Sequence, residues 1–303
     1  MTEQFLSIYE SADRRQCMEL RLVLLASGVA AEVQPDGPLW HLVIAEANYE
    51  KASRELTAYH QDQQPVSTRN AIIDSFSSPG TYEGILGYGL LLAFVSFLVW
   101  STAFGEAMDQ AGQMNAGRLL SGEWWRAITA LTLHVDTTHL VSNLFFGALF
   151  GYLACQLLGG GMAWFLILLG GSLGNLANAA LRDPSHLSVG ASTAVFAALG
   201  IAVAHALRPT LREKELPWMK RWSPLIGGIL LLAMVGLGGE RTDVGAHVTG
   251  FGGGFFTGWL ASKLGRPWLQ NRRVQLAAGF AAISLVAVAW FCGMWILRSS
   301  PPN

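Results

Sequence analysis

Val244-Gly245-Ala246-His247-Val248-Thr249-Gly250-Phe251-Gly252-Gly253-Gly254-Phe255-Phe256-Thr257-Gly258-Trp259-Leu260-Ala261-Ser262 carries no Asp, Glu, Lys or Arg from end to end. A charge-free run approaching the roughly 20 residues that cross a bilayer reads as a transmembrane helix. Ala246, Gly250, Gly254, Gly258 and Ser262 recur at every fourth position, one above the other on one helix face. In lipid, where no hydrophobic effect drives helices together, such a face lets a neighbour approach to near backbone contact. A second charge-free run, Val189–Leu207, holds Ala194, Ala198, Ala202 and Ala206 at the same spacing. Packing these two faces together is expected to bring the Ser192 hydroxyl within reach of the His247 ring.

Five further charge-free runs flank these two: Gly84–Phe104, Leu140–Met162, Met162–Leu181, Ser223–Gly239 and Val274–Leu297. Gly159-Gly160-Gly161 predicts a tight turn between two of them. The expected fold class is therefore an all-α polytopic membrane protein, with six close-packed spans and a seventh after a basic loop. Composition agrees. Of 303 residues, 51% are hydrophobic and 14% charged, about half the usual charged share, and the mean hydropathy of +0.36 argues against a soluble enzyme. A net charge of −1 without a basic run gives no support for nucleic-acid binding. Cys17, Cys155 and Cys292 lie far apart, form no metal-type cluster, and read as packed, inert thiols.

Charge is unevenly placed. Residues 1–83 hold 12 acidic and 6 basic side chains, against 9 and 14 in the remainder. With the acidic head in the cytoplasm, the inner loops carry Arg208, Arg212, Lys214, Lys220 and Arg221, then Lys263, Arg266, Arg272 and Arg273. The outer loops hold only Arg118, Arg126, Arg182 and Arg241. This bias satisfies the positive-inside rule and leaves the C-terminus outside. The boundaries follow: a small cytoplasmic α+β domain at 1–60, a linker at 61–83, a six-helix core at 84–263, and a basic loop with the seventh helix at 264–303.

Within the head, Phe5–Tyr9 reads as a strand and Ser11 as the cap of a helix running to about Gly28. Pro35-Asp36-Gly37 is a turn between Ala31–Gln34 and Leu39–Ile44, and Asn48–Tyr59 is a second helix. The order is β-α-β-β-α. Arg14-Arg15 ahead of Leu22–Ala31 mimics a secretory signal, but the apolar run is short and follows four acidic residues, so it is read as part of the domain.

Polar side chains inside spans are costly and are functional candidates by default. His139 and Asn143 form an i,i+4 pair continued by the small stripe Gly147, Gly151 and Cys155. Ser192 opens the fourth span and His247 the sixth. Spans two, four and six run in the same direction, so these residues share one, outer, depth. A serine becomes nucleophilic when a base takes its proton, and neutral imidazole does this near pH 7. His139, Asn143 and the Ser192 N–H are donors that could face the developing oxyanion. Asp243, four residues before His247, is expected to be a solvated loop residue and not a third member. Taken singly, each has a structural reading: a serine bonded to its own helix carbonyl, a histidine at the interface, Asn175 and Asn178 as interhelical bonders. Their common depth favours a site.

His134-x4-His139-x3-Asn143, Gly190-x-Ser192 and Ala246-His247-x2-Gly250-x3-Gly254 together resemble the signature of the rhomboid intramembrane serine proteases. Trp124-Trp125-Arg126 is similar to the Trp-Arg element of that family's first loop. The resemblance spans about 84–263, and head and seventh helix are similar to those of some proteobacterial members. It implies Ser192 as nucleophile, His247 as general base, and His139 and Asn143 as oxyanion donors. His134, Trp125 and Arg126 would shape the first loop, with Gly190, Gly250 and Gly254 structural near the site. It further implies transmembrane substrates cut near the outer face, no metal or organic cofactor, and a multi-pass protein of a bacterial inner membrane. Oligomeric state and natural substrate stay open. Thr193 stands where the family usually has glycine, and is expected to crowd the cleavage site. The competing readings are a catalytically inactive rhomboid-like protein that binds membrane clients, and a small-solute transporter, for which the chain lacks the expected repeated halves.

Overall fold

In the computed structural model, which describes residues 5–63, 78–212, 216–236 and 243–299, the chain divides into two units, Met1–Asp74 and Ser75–Asn303. Residues 64–77 of the expected linker, together with Lys214 and Arg241 of the expected loops, lie outside the described residues.

The smaller unit follows the expected order: β1 (Phe5–Ser11), α1 (Arg14–Ala26), β2 (Ala31–Asp36), β3 (Leu39–Ala45) and α2 (Tyr49–Gln63). Its antiparallel sheet has the order β1-β3-β2. The stretch resembling a secretory signal is part of the core here, since Leu20 and Leu24 of α1 pack with Leu42 and Ile44 of β3 and Leu56 of α2. One detail differs from expectation. Asp13, not Ser11, caps α1, accepting from Arg15 N at 2.8 Å, while Ser11 Oγ accepts from Asp13 N. A carboxylate at the cap also meets the positive end of the helix dipole.

In the larger unit a long helix occupies each charge-free run. α3 (Thr81–Ser101) leads into a structured connection made of α4 (Gly105–Gly112), β4 (Met114–Asn115), α5 (Ala116–Leu120) and α6 (Arg126–Thr129). There follow α7 (Thr137–Leu158), α8 (Gly160–Leu181), β5 (Leu187–Ser188), α9 (Ser192–Arg212), α10 (Trp218–Gly236), α11 (Val244–Ala261), α12 (Arg266–Leu269) and α13 (Arg272–Ser299). Among the described residues, α3, α7, α8 and the 272–296 part of α13 are long and apolar enough to cross a membrane, and the apolar part of α9 is shorter. α9 is the central helix: from Thr193 to Ile201 every residue is buried. A helix enclosed by protein has no need to match lipid, and this accounts for its small side chains.

The turn between α7 and α8 is tied to α13. Gly159 has φ +77°, and a side chain at Gly160 would strike the Gly80 carbonyl, so glycine is required there. Gln275 of α13, itself buried, donates to Leu158 O (2.8 Å) and Leu269 O (2.5 Å) and accepts from Met162 N (3.1 Å). Replacing it strands three main-chain groups away from water, each worth about 1–3 kcal/mol. Gln275→Leu is therefore expected to lower stability by several kcal/mol in SDS-titrated unfolding in bicelles. An unchanged midpoint would show that the turn does not depend on this tie.

Candidate active site

Two connections, 102–136 and 182–191, meet through β4 and β5 near the starts of α7 and α9. β4 pairs antiparallel with β5, and Gly190 N donates to Ala130 O at 2.9 Å. These bonds hold the residue pair ahead of Ser192 against the 102–136 connection, whose own frame is built round Arg126. That residue is 2% exposed and tolerates burial because its guanidinium is paired and hydrogen-bonded: it bonds Glu123 (2.5 Å), Gln110 O (2.9 Å) and Gln113 O (2.7 Å). Trp125 Nε1 donates to Ala111 O and its ring lies against Gly293 of α13. Trp125 and Arg126 thus order the connection from within, apart from the polar residues that follow.

His139 and Asn143, on the first turns of α7, converge on Gly190. A Cβ at Gly190 would lie 2.6 Å from His139 Cε1, 2.7 Å from His139 Nε2 and 3.7 Å from Asn143 Nδ2, and Gly190 has φ +133°. Glycine is therefore demanded twice over, by conformation and by space. Asn143 Nδ2 is buried without a hydrogen-bond partner among the described residues, which leaves a costly, oriented donor beside the start of α9. The main-chain carbonyl of Asn143 accepts from Tyr88 Oη at 2.8 Å. The His134 ring stands edge-on to His139 at 5.2 Å, and burial, reinforced by His139, pushes its pKa down to about 4.

His247 lies in the first turn of α11, 6% exposed, its ring 4.5 Å from that of Phe196. Phe196 is one turn beyond Ser192 on the same face of α9. The close approach of the two helices has the expected cause. A Cβ at Gly250, Gly254 or Gly258 would meet Thr193, Ala197 or Ile201 respectively. The α9 face used is therefore Thr193, Ala197 and Ile201, and not the expected stripe beginning at Ala194, because Ala194 packs against Gly171 of α8. A helix enclosed on all sides shows small residues to several neighbours, and periodicity alone does not choose among them.

Thr193 also departs from expectation. It is 2% exposed, and its Cγ2 fills the notch formed by Gly174 of α8 and Gly250 of α11. The bulk points into the helix packing. Asp243 is likewise not a solvated loop residue. It caps α11, accepting from Ala246 N, and bonds Asn178, Arg182 and His186. Asn175 bonds Ala127 O, so both asparagines join elements as expected. Phe196 and Tyr88 had no polar signature to mark them. The usable signal was spacing: Phe196 is i+4 from Ser192, and Tyr88 faces Gly147, a member of the small stripe of α7.

Two outcomes follow. Thr193→Gly is expected to open a cavity and to lower unfolding stability by about 1–2 kcal/mol without raising activity; a faster enzyme would show that the threonine obstructs the site. For His134, the unfolded chain takes up a proton near pH 6.5 and the folded chain only near 4. Stability should therefore fall as pH drops through that window, and His134→Asn should flatten the decline in a pH series of thermal unfolding.

Comparison with known proteins comes to the same region. The family model of the Rhomboid domain matches residues 121–264. The rhomboid protein YdcA of Bacillus subtilis (strain 168) is 30% identical over 142 residues, 46% of this chain and 68% of its own length. Rhomboid protease GluP of the same organism is 25% identical over 252 residues, 80% of this chain and 46% of its own. Rhomboid-like protease 2 of Toxoplasma gondii is 29% identical over 174 residues, 55% of this chain and 59% of its own.

Proposed function

Because the chain belongs to the rhomboid family, we propose that it is a serine endopeptidase that cuts transmembrane segments of other membrane proteins near the outer face. Relatives named as rhomboid proteases support an intramembrane protease. The residue roles are our reading. What carries it is the convergence of His139 and Asn143 on Gly190, two residues before Ser192, with His247 seated on Phe196 one turn below.

In this reading neutral His247 takes the Ser192 Oγ proton as Oγ attacks the scissile carbonyl. The oxyanion is met by Asn143 Nδ2, the His139 ring and the N–H of Ser192 at the start of α9, where main-chain donors have no partner within the helix. Collapse of the adduct passes the proton from His247 to the leaving amine and leaves an acyl group on Ser192. Water, deprotonated by His247, then releases the acid and restores the serine. The pair acts as a dyad, and neither metal nor organic cofactor is required. The 1–60 head is placed in the cytoplasm of a bacterial cell, the 84–263 core and the 264–303 extension in its inner membrane, with the site opening outward.

The test is cleavage of a single-span reporter in proteoliposomes. Ser192→Ala and His247→Ala are expected to abolish cleavage while unfolding as the wild type does, and Asn143→Ala to lower kcat about 100- to 1,000-fold. Cleavage that survives Ser192→Ala would refute the dyad. A folded wild type that binds the reporter without cutting it would favour the client-binding reading.

A further inference from the structure

The carboxylate of Asp243 is saturated. Oδ1 accepts from Ala246 N at 3.1 Å and Arg182 Nη2 at 2.9 Å, and Oδ2 accepts from Asn178 Nδ2 at 2.8 Å and lies 2.9 Å from His186 Nε2. Four partners use the four acceptor positions of a carboxylate. Burial alone would raise its pKa, yet the bonds from His186, Ala246, Asn178 and Arg182 hold it below the usual carboxylate range.

Each partner belongs to a different part of the site's frame. Ala246 is in the first turn of α11, and the Asp243 carbonyl accepts from His247 N itself at 3.2 Å. Asn178 lies in the last turn of α8, and Arg182 directly follows it. A side chain at Gly245 would meet both Asn178 and Arg182, which shows how closely α11 seats on α8. His186 stands in the connection that continues through β5 and Gly190 into Ser192, and its carbonyl accepts from Ala116 N at 3.0 Å. One side chain therefore ties the turn bearing His247 to the connection leading into Ser192.

We propose that Asp243 is a positioning residue that sets the register between the general base and the nucleophile, acting through the backbone of α11 and the 182–191 connection. The proposal rests on the dyad reading above. Misplacing a reacting group by about 1 Å costs on the order of 100-fold, so loss of this tie should appear in the chemical step and not in substrate binding.

The test uses the full-length protein in detergent, with the rate of labelling by a fluorophosphonate and the kcat and KM for a single-span reporter, both per folded molecule. Asp243→Ala is expected to slow labelling and lower kcat about 10- to 100-fold with KM within about twofold. Asp243→Asn keeps the helix cap but puts an amide N–H in place of one acceptor oxygen, and should show nearly the same loss. Wild-type labelling by Asp243→Ala, or a loss confined to KM, overturns the proposal. Should Asp243→Ala not fold, the pair Arg182→Gln and His186→Gln removes two of the four bonds and leaves the cap. The same fall in kcat is then expected, and a wild-type rate overturns the proposal. If the folded wild type itself neither labels nor cleaves, the dyad reading fails and this inference with it. Normal wild-type labelling beside an unaffected Asp243→Ala contradicts this inference alone.

Discussion

The contact between α9 and α11 is the constraint on which the rest depends. Gly250, Gly254 and Gly258 meet Thr193, Ala197 and Ile201 with no room for a side chain between the backbones. Within lipid this association rests on packing and interhelical bonding, not on hydrophobic burial, and it succeeds because both surfaces are nearly flat. The cost is low helix propensity and low hydropathy in α11, which a helix facing lipid on all sides could not sustain. The return is placement: His247 arrives over Phe196, one turn from Ser192, at the end of the bundle where the connections gather.

Those connections complete what helix packing begins. The β4–β5 pair, the Gly190–Ala130 bond and the buried Arg126 hold the approach to Ser192 rigid. α7 delivers His139 and Asn143 to the vacant side of Gly190. The polar groups in this region are of two kinds. Arg126 and Asp243 each bind several partners and serve as frame, whereas Asn143 Nδ2 is buried and unpartnered among the described residues, the condition expected of a donor kept for a developing charge.

Much of this was legible in the residues. Absence of charge marks the seven long helices of the described residues, and turn chemistry gives the order of the small domain. Equal depth on parallel spans grouped Ser192, His247, His139 and Asn143 before any contact was known. What could not be read was which face of an enclosed helix meets which neighbour. Ala194 and Thr193 are adjacent in sequence, both belong to small-residue patterns, and only the packing assigns one to Gly171 and the other to Gly174 and Gly250. Asp243 is illegible in sequence for a related reason. Three of its four partners lie 57 to 65 positions away in the chain, and a cap at a span's end looks in sequence like any loop carboxylate.

The central claim is that this packing presents an activated serine to a histidine inside the bundle. Its most direct test is to treat the folded protein with a fluorophosphonate and locate the adduct by peptide-mapping mass spectrometry. We expect one adduct, on the peptide containing Ser192, that is absent from His247→Ala. An adduct on any other residue, or one on Ser192 that persists in folded His247→Ala, would contradict the account.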